Sequence, residues 1–266
     1  MTGATDGGIL LRTVFRPWIK SLINLIYPLT CLICGIKLDP LSQKPLCAVC
    51  WSKIEYNPAP FCRVCGKPLP ACPAGSPAGR PARHQSQALV CQDCQNSQFY
   101  FKQVRSVCKY DGVIKECIHL FKYNHKLSLT KPLGGLLVDF ATHNCDMSQI
   151  DLILPVPLHS KKLRQRQFNH AQNLAQSLAA AFSKQIQPQL IVKIKPGPDQ
   201  VSLTRAARSR NIRGAFTIRN NKPVKSKNVL LVDDVFTTGA TVNECAKALL
   251  DAGAKQVDVL TLARGT

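Results

Sequence analysis

Apolar positions change their spacing twice along this chain. Near the start, Leu11, Val14, Phe15, Trp18, Leu22, Leu25 and Ile26 recur at helical intervals, while Arg12, Arg16 and Lys20 take up much of the other face. The pattern predicts an amphipathic helix within residues 1–28, suited to covering a small core or lying on a membrane surface. Over residues 29–100 no period holds, and cysteine pairs set the rhythm instead. From residue 101 onward short apolar runs alternate with helical spacings. Strands are predicted at 103–110, 151–154, 189–194, 228–234 and 257–263, and helices at 112–123, 130–143, 168–183 and 241–251. That alternation predicts an α/β fold, a parallel or mixed sheet flanked by helices on both faces. Three segments result: an N-terminal helix (1–28), a cysteine-rich module (29–100) and an α/β domain (101–266).

The 266 residues include 13 cysteines, and nine of them fall between Cys31 and Cys94. Eight of the nine form C-x-x-C pairs: Cys31/Cys34, Cys47/Cys50, Cys62/Cys65 and Cys91/Cys94. Twelve residues separate the first two pairs and 25 the last two. A C-x-x-C pair places two sulfurs on one turn, and a second pair completes a tetrahedral four-thiolate zinc site. The spacing leaves open whether the pairs close in sequence or interleave, and whether one or two Zn²⁺ ions are held. A closed four-thiolate site has no vacant position for substrate, so the predicted zinc is structural. Paired spacing of this kind is rare among secreted disulfide frameworks, which points to a reducing, cytoplasmic setting. Residues 68–90 are rich in Pro, Ala and Gly and read as a disordered basic loop, with Cys72 and His84 as bystanders. Cys108, Cys117, Cys145 and Cys245 read as small core residues.

Charge narrows the partners. A formal net charge of +20 favours a polyanion or a phosphorylated substrate. No run of about 20 apolar residues is uninterrupted, so no transmembrane anchor is expected.

The sharpest chemical signal is "VLLVDDVFTTGAT" at 229–241. A buried strand ends in Asp233 and Asp234, followed by Thr237, Thr238, Gly239, Ala240 and Thr241 at the start of a helix. In an open α/β sheet, ligands sit at the carboxyl ends of strands. An acid pair there accepts protons from a ribose diol or binds Mg²⁺. Backbone N–H groups at the helix start, with threonine hydroxyls, form a phosphate cradle. Together they suit a ribose 5-phosphate. The stretch lacks G-x-x-x-x-G-K-[ST] and is not a P-loop. Lys161, Lys162, Arg164 and Arg166 place four cations just after another strand end, suited to pyrophosphate or a nucleic-acid backbone. Arg205, Arg208, Arg210 and Arg213 form a second basic stretch. Among the scattered histidines, only His159 and His170 lie near this candidate site in sequence.

"VLLVDDVFTTGAT" resembles the phosphoribosyl pyrophosphate (PRPP) signature of type I phosphoribosyltransferases. The order of zinc knuckles, "PVPLHSKKLRQRQFNHA", "QVSLTRAARSRNIRGAF" and that signature resembles the ComF family, competence-associated proteins that include GntX-like members. The resemblance spans roughly residues 25–264. It implies a type I phosphoribosyltransferase-like fold and Mg²⁺-dependent binding of PRPP. It places the ribose hydroxyls on Asp233 and Asp234 and the 5′-phosphate on Thr237–Thr241. The pyrophosphate loop would be formed by Pro155, Val156 and Pro157, supported by Arg164 and Arg166. The stretch "TRAARSRNIRGAF", 204–216, would be a hood closing over PRPP. Family members usually carry Arg-Gly-Phe-Asn-Gln after the pyrophosphate loop, where this chain has Arg166-Gln167-Phe168-Asn169-His170. The segment "FKYNHK" (121–126) is similar to a Lys-Tyr segment of the family, and aromatics beside lysines suit single-stranded nucleic acid.

Two functions follow as expectations. The first is a phosphoribosyltransferase-like, PRPP-binding protein acting in DNA uptake during natural transformation, with a competence helicase or other uptake proteins as partners. The second is a non-catalytic single-stranded-DNA-binding accessory factor with a vestigial transferase site. Amidophosphoribosyltransferase activity is not expected. Its glutaminase needs a cysteine directly after the initiator methionine, and residue 2 is Thr.

Overall fold

The computed structural model describes residues 28–39, 42, 44–70, 89–195 and 212–265. The predicted N-terminal helix, Cys72, His84 and the basic residues Arg205, Arg208 and Arg210 lie outside them. Contacts divide the chain between Ile54 and Glu55 into two compact units.

In the first unit, Thr30 and Lys37 bridge a tight turn around Cys31 and Cys34. A short helix, α1 (Ala48–Ser52), follows. Cys47 caps it, its sulfur accepting the N–H of Cys50 at 3.3 Å.

The second unit begins with a similar turn, closed by a Phe61–Pro68 bridge, and with α2 (Gln92–Gln95). Then come β1 (Gln103–Lys109), α3 (Gly112–Tyr123), α4 (Thr130–Asn144), β2 (Leu152–Pro155), α5 (Ser160–Arg166) and α6 (His170–Ala181). Short β3 (Gln185–Ile186), β4 (Ile191–Lys193) and β5 (Phe216–Ile218) precede β6 (Asn228–Phe236), α7 (Ala240–Asp251) and β7 (Gln256–Arg264).

The main sheet has the order β1-β7-β6-β2-β3 with every pairing parallel. The chain moves one way across it from β1 to β2 to β3, and the other way from β6 to β7. Right-handed crossovers therefore put α3, α4 and α6 on one face and α7 on the other. Both faces are covered, which explains why β6 and β7 are apolar in continuous runs. Val229 to Val232 and Val257 to Ala263 are buried almost without interruption. Polar groups inside the sheet include the Ser106 and Thr261 hydroxyls, which meet at 2.7 Å across β1 and β7, and Asp258 of β7, which accepts from Gln256 Nε2 at 2.7 Å.

The long elements fall where periodicity places them. The differences are local. β6 runs two residues beyond the predicted end at 234, because β7 continues to pair with it as far as Phe236↔Arg264. The helix expected from 168 starts at His170, since Asn169 caps it by accepting the Ala171 N–H at 3.2 Å. Cys108, Cys117 and Cys245 are fully buried, and Cys145 only partly.

Candidate active site and zinc centres

β2 accompanies β6 only as far as Pro155↔Val232. The Val156 N–H then closes on the Val232 carbonyl at 2.9 Å, and the chain turns away. β7 stays beside β6 for four more residues. Asp233 and Asp234 stand at this step, where one neighbour of the strand has left and the other has not. Successive strand residues face opposite ways, so the pair straddles the sheet, held locally by the Asp234 N–H donating to Asp233 Oδ1 at 2.9 Å.

Their surroundings differ. Asp234 is 8% exposed and is paired with Lys122, whose Nζ stands 2.7 Å from Oδ1. Lys122 comes from the last turn of α3. Burial, the largest single influence, would depress its ammonium, but the Asp234 charge and hydrogen bond together with the Asp233 charge raise it. Among the described residues, Asp233 has no such close cation. Burial, reinforced by the Asp234 charge, pushes its carboxyl up to about 7, with Lys122 and Lys193 pulling the other way. Lys193, in β4, is itself lowered, first by burial and next by the charge of Lys162.

The loop after β6 is built for close approach. Gly239 caps α7 at φ +77°, a left-handed conformation open mainly to glycine. A β-carbon there would stand 2.8 Å from Phe236 Cζ. The helix begins at Ala240, one residue ahead of the predicted Thr241. Thr238 Oγ1 accepts the Ala240 N–H at 3.4 Å. Thr237 is exposed, and Thr238 and Thr241 are half-buried. The first N–H groups of α7 have no partner within their own helix and carry its positive dipole end.

Pro155, Val156 and Pro157 form the turn after β2. Asn169 ties that turn to α6, its Nδ2 donating to the Val156 carbonyl at 3.0 Å. Of the two predicted arginines, Arg164 is exposed on α5. Arg166 instead lies over the Tyr123 ring at 4.9 Å and donates to its hydroxyl at 3.2 Å. The two departures from the family run also resolve. Gln167 sits where glycine is usual, and its φ is +63°. The left-handed backbone is kept at a cost of about 1–2 kcal/mol. His170 is 1% exposed, and its Nε2 donates to the Phe121 carbonyl at 2.6 Å. Burial lowers its pKa, so the imidazole is neutral. His159 caps α5 by accepting the Lys161 N–H at 3.3 Å. Both histidines therefore have structural partners.

Sequence reasoning missed Lys122 as a partner of the acid pair. The signal was present in "FKYNHK", which was read for base stacking. Of the predicted hood, Ile212 to Phe216 is described. The Arg213 carbonyl accepts Lys195 Nζ at 3.0 Å.

The cysteines close in sequence. Thiolates about 2.3 Å from a tetrahedral zinc stand about 3.8 Å apart. Cys34 and Cys47 sulfurs are 3.7 Å apart, as are those of Cys65 and Cys91. Within Cys31/Cys34/Cys47/Cys50, and within Cys62/Cys65/Cys91/Cys94, all four sulfurs lie within 4.8 Å of one another. The chain thus holds two sites that fit structural zinc. Backbone N–H groups prepare both for thiolates: Cys47 N–H points at Cys31 Sγ (3.4 Å) and Cys91 N–H at Cys62 Sγ (3.3 Å). Burial would raise these two thiols, but the backbone donors prevail, bringing Cys31 to about 6 and Cys62 to about 7. Cys50 and Cys94 are pushed up, first by burial and then by the neighbouring sulfurs.

Residues 22–95 match the family described as "Double zinc ribbon domain", and residues 169–266 match "Phosphoribosyl transferase domain". DNA utilization protein YhgH of Salmonella typhi is 30% identical over 232 residues, covering 84% of this chain and 99% of that protein. Competence protein F of Haemophilus influenzae is 26% identical, covering 88% and 96%. Competence protein ComFC of Bacillus subtilis is also 26% identical, covering 90% and 96%. The chain belongs to the ComF family. Its ComF-type architecture is a phosphoribosyltransferase-like domain with a cysteine-rich zinc module N-terminal to it. A purine phosphoribosyltransferase from Pyrococcus horikoshii overlaps 51% of this chain and 82% of its own at 16% identity and a TM-score of 0.32. An overlap that loose carries no ligand chemistry across. Among the described residues no helix is long and apolar enough to cross a membrane.

Proposed function

We propose that this chain binds PRPP with Mg²⁺ at the end of β6 and transfers its phosphoribosyl group, serving DNA uptake in competent cells. The observation that carries the reading is the step in the sheet. An acid pair and a glycine-capped helix start are separated by one short loop at the carboxyl end of a central strand. Asp233 and Asp234 would accept the ribose hydroxyls, while the Thr237–Thr241 amides and hydroxyls hold the 5′-phosphate. The turn at Pro155–Pro157 would face the leaving pyrophosphate, with the exposed Arg164 of α5 available to its charge. Mg²⁺ when bound would neutralise the pyrophosphate charge. The chain's own part is positioning and electrostatics. Lys122 neutralises Asp234 and would help to balance the acid pair against an anionic substrate. The names of the Haemophilus and Bacillus relatives support the competence setting.

Equilibrium dialysis with labelled PRPP, with and without Mg²⁺, tests the reading. Retention that requires Mg²⁺ and is competed by ribose 5-phosphate and by pyrophosphate is expected. Retention of neither PRPP nor its fragments would reject it.

A second reading, single-strand DNA binding beside a vestigial site, draws on the +20 charge and on exposed Lys161 and Arg164. It expects steeply salt-dependent DNA binding that is indifferent to loss of Asp233 and Asp234.

A further inference from the structure

The second cysteine site is joined to the phosphate-loop candidate by a short chain of side chains. Arg264 is the last residue of β7. One of its guanidinium nitrogens, Nη1, donates to the Cys65 carbonyl, and the other, Nη2, points at Cys65 Sγ at 3.7 Å. The same guanidinium lies over the Phe236 ring, 4.9 Å from its centroid. Phe236 is 4% exposed and ends β6. Its ring packs directly beneath Gly239, so closely that a β-carbon there would meet Phe236 Cζ at 2.8 Å. Main-chain bonds clamp the same corner: Gly265 N–H to the Phe236 carbonyl at 2.8 Å, and Tyr110 N–H to the Arg264 carbonyl at 2.7 Å.

We infer that Arg264 is a positioning residue through which the Cys62/Cys65/Cys91/Cys94 site holds Phe236 under Gly239 and so fixes the phosphate loop. The inference rests on the reading of Thr237–Thr241 as a phosphate cradle. The physical argument is preorganisation. A backbone cradle binds an anion well only if its N–H groups are already aimed, and Gly239 has the most conformational freedom in the loop. The ring below removes that freedom, and the ring is held in turn by a guanidinium. Arginine suits the position because its planar fork can face the cysteine and stack on the aromatic at once, which a lysine cannot do. The guanidinium also balances a cysteine site that becomes anionic once four thiolates hold a divalent ion. Loss of the ion would free Cys65 and with it the far end of the fork. Phosphate binding is thereby made dependent on an intact second site.

The test is amide hydrogen exchange of residues 237–241 in the full chain, read beside PRPP affinity and zinc content. Arg264→Met should keep its zinc. It should exchange the loop amides faster while β6 and β7 amides stay protected, and it should bind PRPP about tenfold more weakly, the size of one lost cation–π contact and one charge-assisted hydrogen bond. Arg264→Lys should recover only part of the loss. Phe236→Leu, which leaves the Cys65 contact in place, should show the same loop loosening, and it decides the matter if Arg264→Met loses zinc. Unchanged loop exchange in Phe236→Leu, or in zinc-loaded Arg264→Met, would overturn the inference. Because exchange is read without ligand, a wild-type protein that fails to bind PRPP would reject the proposed function and still leave this coupling measured.

Discussion

The two cysteine sites share their C-x-x-C spacing and their N–H···S bonds, yet they are embedded differently. In the first, Cys34 is exposed and Cys47 half-buried. In the second, all four cysteines are buried, within the same apolar cluster as Val104, Leu231, Phe236 and Val259. Gly66 lies so close to β1 that a β-carbon would stand 2.8 Å from the Val104 carbonyl oxygen. The Val104 N–H also donates to the Val64 carbonyl at 2.7 Å. One site staples the first unit, and the other is part of the transferase-like core. Equal ligand chemistry thus serves two purposes, and the surroundings of the sulfurs distinguish them.

That contrast can be broken at several points. The largest effect is expected from the second site. Cys94→Ser should remove its zinc and unfold much of the unit from Glu55 onward, because structural zinc supplies on the order of 10 kcal/mol. Cys34→Ser should leave the main thermal transition and PRPP binding intact. Similar losses of melting temperature in both variants would show that the sites are not energetically distinct.

Next comes the Lys122–Asp234 ion pair near the end of β6. Lys122→Met leaves Asp234 buried without its cation and should cost about 3–5 kcal/mol in chemical denaturation, unless the carboxyl takes up a proton. A loss under about 1 kcal/mol would mean that the pair is solvent-screened.

Smaller still is a pH effect. Asp233 has its folded pKa raised to about 7, above the ordinary carboxylate value. A raised carboxyl favours the folded state most at low pH. That contribution is full below about 4, declines as pH rises through about 7, and is absent above it. Asp233→Asn should flatten this decline in stability between about pH 4 and 7. An unaltered slope would locate the titration elsewhere.

The smallest change is expected at Gln167, whose left-handed φ of +63° suits glycine better. Gln167→Gly should change stability by no more than about 1 kcal/mol, strain relief being offset by greater freedom in the unfolded chain.

The sequence was legible where periodicity is long. β1, β6, β7 and the helices α3, α4, α6 and α7 follow from runs of seven or more residues whose burial repeats. Shorter pieces were not. β3 and β5 have two and three residues, too few for a period, and they exist because neighbouring chain supplies their partners. The acid pair and the glycine of the phosphate loop are contiguous in sequence and could be read directly. Lys122 and Arg264 could not, since their partners lie about 112 and 199 residues away and only the sheet order brings them together. The cysteine pairing was open for the same reason, and folding closed it in sequence. The hood over 204–216 is an implication of the resemblance, and residues 204–211 lie outside the described residues.

The central claim is that the end of β6 is a working ribose-phosphate site. Calorimetric titration of the zinc-loaded protein with PRPP and Mg²⁺, beside the Asp233→Ala/Asp234→Ala variant, tests it most directly. The account predicts saturable binding that the variant loses by at least about 100-fold, as two charge-assisted contacts would require. Absence of binding by the intact protein, or equal binding by the variant, would contradict it.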